Sequence, residues 1–203
     1  MKNINLVKKK IDQIIKKSSV PEDYVHSKNT LDWLLKLKPN ADEGLIIAAL
    51  SHDIERAIEK RKVRRRDYKD YDAFKDSHAL NSAKILAEIM QECNLSEKMI
   101  DEVYFLVSLH ETGGTKLADI LKDADSISFF DVNLPLYFVR NNLREVKKRC
   151  LWGYQRLSDK GKSIVAGIDY QNKELNALMR VCIEESERLK EGSKIRHSNP
   201  PDI

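Results

Sequence analysis

Apolar residues recur every three or four positions along most of the chain, the spacing that gathers them on one face of an α-helix. The first such stripe covers residues 4 to 17. A second opens at Pro21, with Glu22 and Asp23 in its first turn, and reaches about Lys38, where Pro39 and Asn40 stop it. The third runs from about Ala41 through the apolar stretch GLIIAALSHDIERA to a basic cluster at 60–66. Residues 62–75 read as a long charged connection, after which Asp76 or Ser77 offers an N-cap to a fourth helix, HALNSAKILAEIM. Ser96 ahead of Met99 and Ile100 caps a fifth, which ends at HETGG, where Gly113 and Gly114 supply a C-terminal stop. A sixth spans about Lys116 to Asp131, and a long helical stretch follows from about Asp159 to Lys190, with Gly161 and Gly167 as weak points. No run of alternating β-branched residues interrupts this pattern, so it predicts an all-α fold.

Composition narrows the picture. With 203 residues the chain can bury a core without disulfide or metal staples, and the expectation is one helical domain over 1–195 with a flexible tail in 193–203. The three cysteines, Cys93, Cys150 and Cys182, are far apart and odd in number, which supports neither a disulfide framework nor a thiolate zinc site. The N-terminus lacks a signal-type apolar stretch and nothing approaches the roughly 18 apolar residues of a membrane span. A soluble cytoplasmic protein, with no membrane partner, is expected. Trp33, Trp152 and the segment LPLYFV at 134–139 read as core, although such apolar stripes could also mediate a homodimer.

The net charge of +4 is small, but residues 60–66, KRKVRRR, hold six positive charges in seven positions. A solvated loop, a phosphate-attracting rim and a nucleic-acid contact are the three readings. Asp67, Asp70 and Asp72 follow at once and weaken the last, as does the scarcity of interleaved aromatic residues, with only Tyr68 and Tyr71 nearby.

Four of the five histidines fall on or beside apolar stripes. His26 aligns with Trp33 and Leu37, His52 lies over Leu45, Ala48 and Ala49, His78 aligns with Ser82, Ile85 and Ile89, and His110 ends the stripe Val103, Leu106, Val107. Only His197 does not. One buried imidazole with a single hydrogen bond is ordinary; four on successive helices each need partners for two nitrogens, at a cost of roughly 1–3 kcal/mol per unsatisfied group. A shared metal ion satisfies several together, since imidazole nitrogens and carboxylates are ligands for zinc, manganese, iron or cobalt. Asp53 beside His52 supplies a carboxylate, and small Ala48 and Ala49 let a neighbouring helix approach.

A histidine on one helix, a His-Asp doublet near the end of a later apolar helix and an aspartate much further on resemble the HD superfamily of metal-dependent phosphohydrolases. The resemblance covers about residues 20–150, leaving an extension of about 151–192 as additional C-terminal helices. It implies a helical HD-type bundle and metal ligands at His26, His52, Asp53 and an aspartate of the DAD segment. Of Asp123 and Asp125, the superfamily's Ala-Asp pair followed by a hydrophobic residue favours Asp125, matching Ala124, Asp125 and Ile127. The resemblance also implies a substrate-phosphate or second-metal role for His78 and His110, with a structural histidine as the alternative. Glu111 stays open between ligand, hydrogen-bond partner and exposed acid.

The implied activity is hydrolysis of a nucleotide or similar small phosphate ester by water activated at one divalent ion (Mn, Co, Ni, Fe or Zn), with a second metal as an open alternative. Asp53 is expected to hold the ion and to orient the nucleophile or take its proton. Arg56, one turn after His52, and Lys116, after HETGG, are the candidate cations for phosphate charge, with Lys122 and Arg64 to Arg66 further off. The sequence after Asp53, Ile54-Glu55-Arg56, departs from the His-Asp then Glu-Asp pattern of alarmone hydrolases. The rival expectation is a non-catalytic HD signalling module that binds metal and nucleotide without turnover.

Overall fold

Side-chain caps fix where most of the helices begin. Asp42, Asp70, Ser96, Thr115, Asn142 and Ser158 each accept a hydrogen bond from a backbone N–H three residues on, at 2.8 to 3.4 Å, a contact worth about 1 kcal/mol. The computed structural model of the chain describes residues 2–198, with side chains to Leu189, and every regular element among them is helical. The first half contains α1 (Lys2–Ile15), α2 (Asp23–Leu37), α3 (Glu43–Ser51), α4 (Tyr71–Glu92) and α5 (Glu97–Ser108). The second contains α6 (Lys116–Ser128), α7 (Leu134–Arg140), α8 (Leu143–Arg156), α9 (Asp159–Ala166) and α10 (Lys173–Ser198). Short 3-10 turns at Ile54–Ala57 and Arg65–Asp67 flank the basic cluster. No described helix is long and apolar enough to cross a membrane.

The third helix is the hub. Leu45, Ile47, Ala48, Ala49 and Leu50 are all buried, so α3 is apolar on every side, as a helix enclosed by its neighbours must be. It packs against α1, α2, α5 and α6, while α2 lies along α6 and α4 along α5. Two adjoining apolar clusters result. One is built from Val7, Leu34, Leu45, Leu86, Val107 and Leu121 with their neighbours. The other gathers Phe130, Leu134, Val146, Leu157 and Leu175 from the C-terminal helices. Trp33 and Leu37 pack against both.

Several boundaries depart from the sequence pattern for local reasons. The third helix stops at Ser51 rather than continuing into the basic cluster, because side chains take over the carbonyls of its last turn. Ser51 Oγ donates to Ile47 O at 2.7 Å and His52 Nδ1 reaches Ala49 O at 3.0 Å. The fourth helix begins at Tyr71, because its cap is Asp70 rather than the expected Asp76 or Ser77. The sixth gives way at Phe129 to a wide π-helical turn, Phe129–Asn133. The expected long C-terminal helix is broken after Ala166, and Asn172 restarts it by accepting from the backbone N–H of Glu174 and Leu175 at 2.9 and 3.1 Å. Within LPLYFV, Leu136 and Val139 are exposed rather than core. The helix α10 extends into the stretch expected to be a tail, and 199–203 lie outside the described residues.

Gly113 shapes the turn that follows His110. Its φ is +74°, and an added Cβ would meet Asp119 Oδ1 at 2.1 Å, the atom that accepts from Gly114 N at 3.0 Å. Gly113→Ala is therefore expected to destabilise the fold by about 1–3 kcal/mol, read as a lower urea midpoint with unchanged slope. An unchanged midpoint would contradict the strained-turn account.

Candidate metal centre

Three helix ends and two helix interiors deliver the chemistry. His52 and Asp53 occupy the first two positions beyond α3, with Asp53 at φ −102°, ψ 15°. The doublet therefore fans out from a chain turning off its helix axis, rather than from within a regular helix. His110 likewise lies just past α5, while His26 sits near the start of α2 and His78 within α4. Asp125 comes from the buried C-terminal half of α6. All four histidines and Asp125 are buried.

Each imidazole is anchored through Nδ1. His52 donates to Ala49 O at 3.0 Å and His110 to Val107 O at 2.7 Å. His26 Nδ1 lies 2.9 Å from Ser128 Oγ, whose hydroxyl donates to His26 O at 3.2 Å, so the ring nitrogen is the donor in that contact. His78 Nδ1 lies 2.7 Å from Glu55 Oε1. Anchoring through one ring nitrogen fixes the tautomer and leaves the Nε2 lone pair aimed inward, the arrangement that orients metal-binding histidines.

What those lone pairs face decides the chemistry. His26 Nε2 is 3.2 Å from His52 Nε2, and the two are 3.0 and 3.3 Å from Asp125 Oδ1. With both Nδ1 atoms protonated and both Nε2 atoms bare, three acceptors would converge, an arrangement relieved by a proton on Nε2 or by a metal cation. Asp53 links this group to a second. Its Oδ2 is 3.9 Å from His26 Nε2, and its Oδ1 is 2.6 Å from His78 Nε2 and 3.8 Å from His110 Nε2. His110 Nε2 is buried without a hydrogen-bond partner. His26, His52 and Asp125 form one group able to hold a metal ion, and Asp53, His78 and His110 a second. The donors are imidazole and carboxylate without thiolate, a set that suits Zn, Mn, Fe, Co or Ni.

Electrostatics agree with the geometry. Burial would push His52 down, but Asp53 and Asp125 outweigh it and hold its imidazolium up to about 9. His78 is raised in the same way by Asp53 and Glu55. Burial works against the charge on Asp53 and Asp125 too, yet the neighbouring cationic groups keep both carboxyls well below the usual range. His110 is pushed down by burial and by the adjacent His52 and His78.

Further charges frame the cluster. Arg56 spans Asp53 Oδ2 at 2.9 Å and Asp23 Oδ1 at 2.8 Å, so it braces the shared carboxylate. Glu111 is clamped by Lys75 and by Arg156, the latter at 2.5 Å. Among the described residues Arg149 has no carboxylate partner. It stands over Trp152 at 4.7 Å and donates to Tyr71 Oη, and burial together with Arg156 and Arg56 lowers it to about 10. Arg56, Lys75, Arg149, Trp152 and Arg156, with buried Ser126, wall a small inner cleft over Asp53 and Asp125.

The remaining expectations separate cleanly. Asp123 is turned away: it accepts from Ser158 N at 2.9 Å and from Ser158 Oγ at the start of α9. Lys116 is exposed and lines a different groove with Asp42, Glu102 and Phe105, so it stands outside the cluster that the turn at 113–114 was expected to bring it to. Lys122 bonds Thr112 O at 3.4 Å and pairs with Asp119. Trp152 is a wall of the cleft rather than core. The side chain of His197 lies outside the described residues. Sequence reasoning missed Glu55 and Arg149. Glu55 was hidden because α3 ends before it; for Arg149, the aromatic-basic stretch around Trp152 was the available signal.

Fold and site together define an all-helical protein with a buried histidine-carboxylate cluster capable of holding metal. The chain belongs to the family described as "Domain of unknown function (DUF4202)", which matches residues 7–179. No curated protein and no solved structure matches it.

Two outcomes follow for the cluster. Without metal, His52 and His78 bind protons more tightly in the folded chain than in the unfolded one. Their stabilisation is complete below the ordinary value of 6.5 and, for His52, is lost as pH rises through about 9. A divalent ion competes with those protons, so the rise in melting temperature on adding Mn2+ or Zn2+ should grow from pH 6.5 to 9; a rise independent of pH would contradict this. Glu55 holds both His78 and the backbone N–H of Val63, the latter at 2.6 Å. Glu55→Ala is expected to weaken metal binding by about 10–100-fold in a competition titration, and wild-type affinity would show that His78 needs no such support.

Proposed function

We propose that the protein is a metal-dependent phosphohydrolase of the HD type, acting on a nucleotide or similar small phosphate ester. The observation that carries the reading is the pair of groups joined at Asp53, in the chain order His26, His52-Asp53, His78, His110, Asp125. His26, His52 and Asp125 would hold one divalent ion, His78 and His110 a second, with Asp53 serving both. Ions held there supply Lewis acidity to a phosphoryl oxygen and make water a usable nucleophile near neutral pH.

The chain's own groups do the rest. Asp53, held well below the usual carboxylate range, is a poor proton acceptor at neutral pH; its part is to hold charge, and Arg56 keeps its orientation. Arg149, uncommitted to any carboxylate, can meet non-bridging phosphoryl oxygens with charge-assisted hydrogen bonds. Ser126 Oγ, buried without a partner and facing the inner cleft, offers a further donor. Trp152 and Phe129 restrict water beside them.

Released phosphate measured over a panel of nucleotides and model phosphate esters with Mn2+, Co2+, Ni2+, Fe2+ or Zn2+ tests the proposal. Turnover is expected, with Asp53→Ala inactive and Arg149→Ala lowering kcat on the order of 10²-fold. Tight nucleotide binding with no product under any of these metals would instead indicate a non-catalytic binding module.

A further inference from the structure

Beside the inner cleft lies a larger basin of about 410 Å³ with His78 in its wall. Its outer wall is the basic cluster, and Arg56, Lys75 and Arg149 belong to both spaces. The start of the cluster is held in place, although Arg64, Arg65 and Arg66 are exposed. Arg61 pairs with both oxygens of Glu88 at 2.5 and 2.9 Å, Asn81 donates to Arg61 O at 2.6 Å, and Val63 N donates to Glu55.

Charge in the basin is strongly one-sided. Among the described residues Glu55 is the only acid lining it, and its two oxygens are engaged by His78 and Val63 N. Some of the cations are matched: Arg56 by Asp23 and Asp53, Lys75 by Glu111, and Arg64 by Glu59 at 2.6 Å. Others are matched weakly or not at all: among the described residues Lys62 makes no ion pair, Arg65 bonds only the backbone carbonyl of Tyr68, and Arg66 has an exposed 3.8 Å contact with Asp67. Arg149 adds a fourth at the inner end. Like charges fixed along one wall repel, and an anion of matching extent relieves them.

We infer that the ligand carries several phosphate groups, one placed at the cluster beside Arg149 and the others extending into the basin against Lys62, Arg65 and Arg66. A single phosphate group at the inner cleft would leave Lys62 and Arg65 without a counter-charge and Arg66 with only its exposed 3.8 Å contact to Asp67. This rests on the phosphohydrolase reading only for the orientation of the ligand; the basin's preference for polyanions stands on its own charges. The adjacent Asp67 and Asp70 disfavour a nucleic-acid strand running on past the basin.

Calorimetric binding to the metal-loaded full chain, with free metal held constant, separates the possibilities. The probes are a nucleoside monophosphate, its methylene-bridged triphosphate analogue and a single-stranded RNA of matched charge. The triphosphate analogue is expected to bind at least about tenfold more tightly than the monophosphate. In the variant carrying Lys62→Ala, Arg65→Ala and Arg66→Ala that advantage is lost while monophosphate affinity and metal content are retained. Equal affinities, equal losses for both nucleotides, or tighter binding of the RNA would overturn the inference. Because the probes are not hydrolysed, discrimination between them in a chain that turns over no substrate would uphold the inference while removing the phosphohydrolase reading.

Discussion

The structure turns on the meeting of lone pairs inside a protein core. Two imidazole nitrogens and a carboxylate oxygen lie within 3.0–3.3 Å of one another, and both imidazoles are already bonded through Nδ1, so positive charge is the filling that relieves them. A proton on His52 is one filling and a divalent cation is another. The second also accounts for His110 Nε2, which is buried with no hydrogen-bond partner. An unsatisfied buried group costs about 1–3 kcal/mol, and a ligated ion removes that cost from several groups at once.

The helices are arranged to make that meeting occur. The third helix is apolar on every side because it must reach the centre of the molecule, and its end, fixed by Ser51 and His52 bonding back to carbonyls, releases the doublet where α2, α4 and α6 bring His26, His78 and Asp125. Glu55 extends the same logic outwards. One of its oxygens steadies His78 and the other holds the backbone of the basic cluster, so the cluster's position and the orientation of a candidate ligand share one side chain.

Helical class was legible because few positions break the three-to-four spacing, and the histidines could be singled out because polar side chains on apolar stripes are conspicuous. Other features depend on which neighbour arrives. Asp123 and Asp125 differ by two positions, yet the first is taken by Ser158, a residue 35 positions away that no stripe points to. Lys116 follows the glycine turn in sequence but emerges on another face, because α6 sets off away from the cleft. Arg149 and Trp152 join the cleft through the packing of α8 on α6, a tertiary contact that the aromatic-basic stretch around them marks only as unusual in composition. The early start of α4 was readable in Asp70, whose capping role was obscured by the surrounding charges.

Metal stoichiometry is the most direct measurement of the central claim. Elemental analysis of the full chain after loading with Mn2+ or Zn2+ and removal of free ion should find about two ions per chain, as expected of a two-ion site, and less in a His52→Ala variant of unchanged helicity. A wild-type chain that retains no more metal than that variant would show that the convergence of histidines and aspartates is filled by protons, contradicting the account.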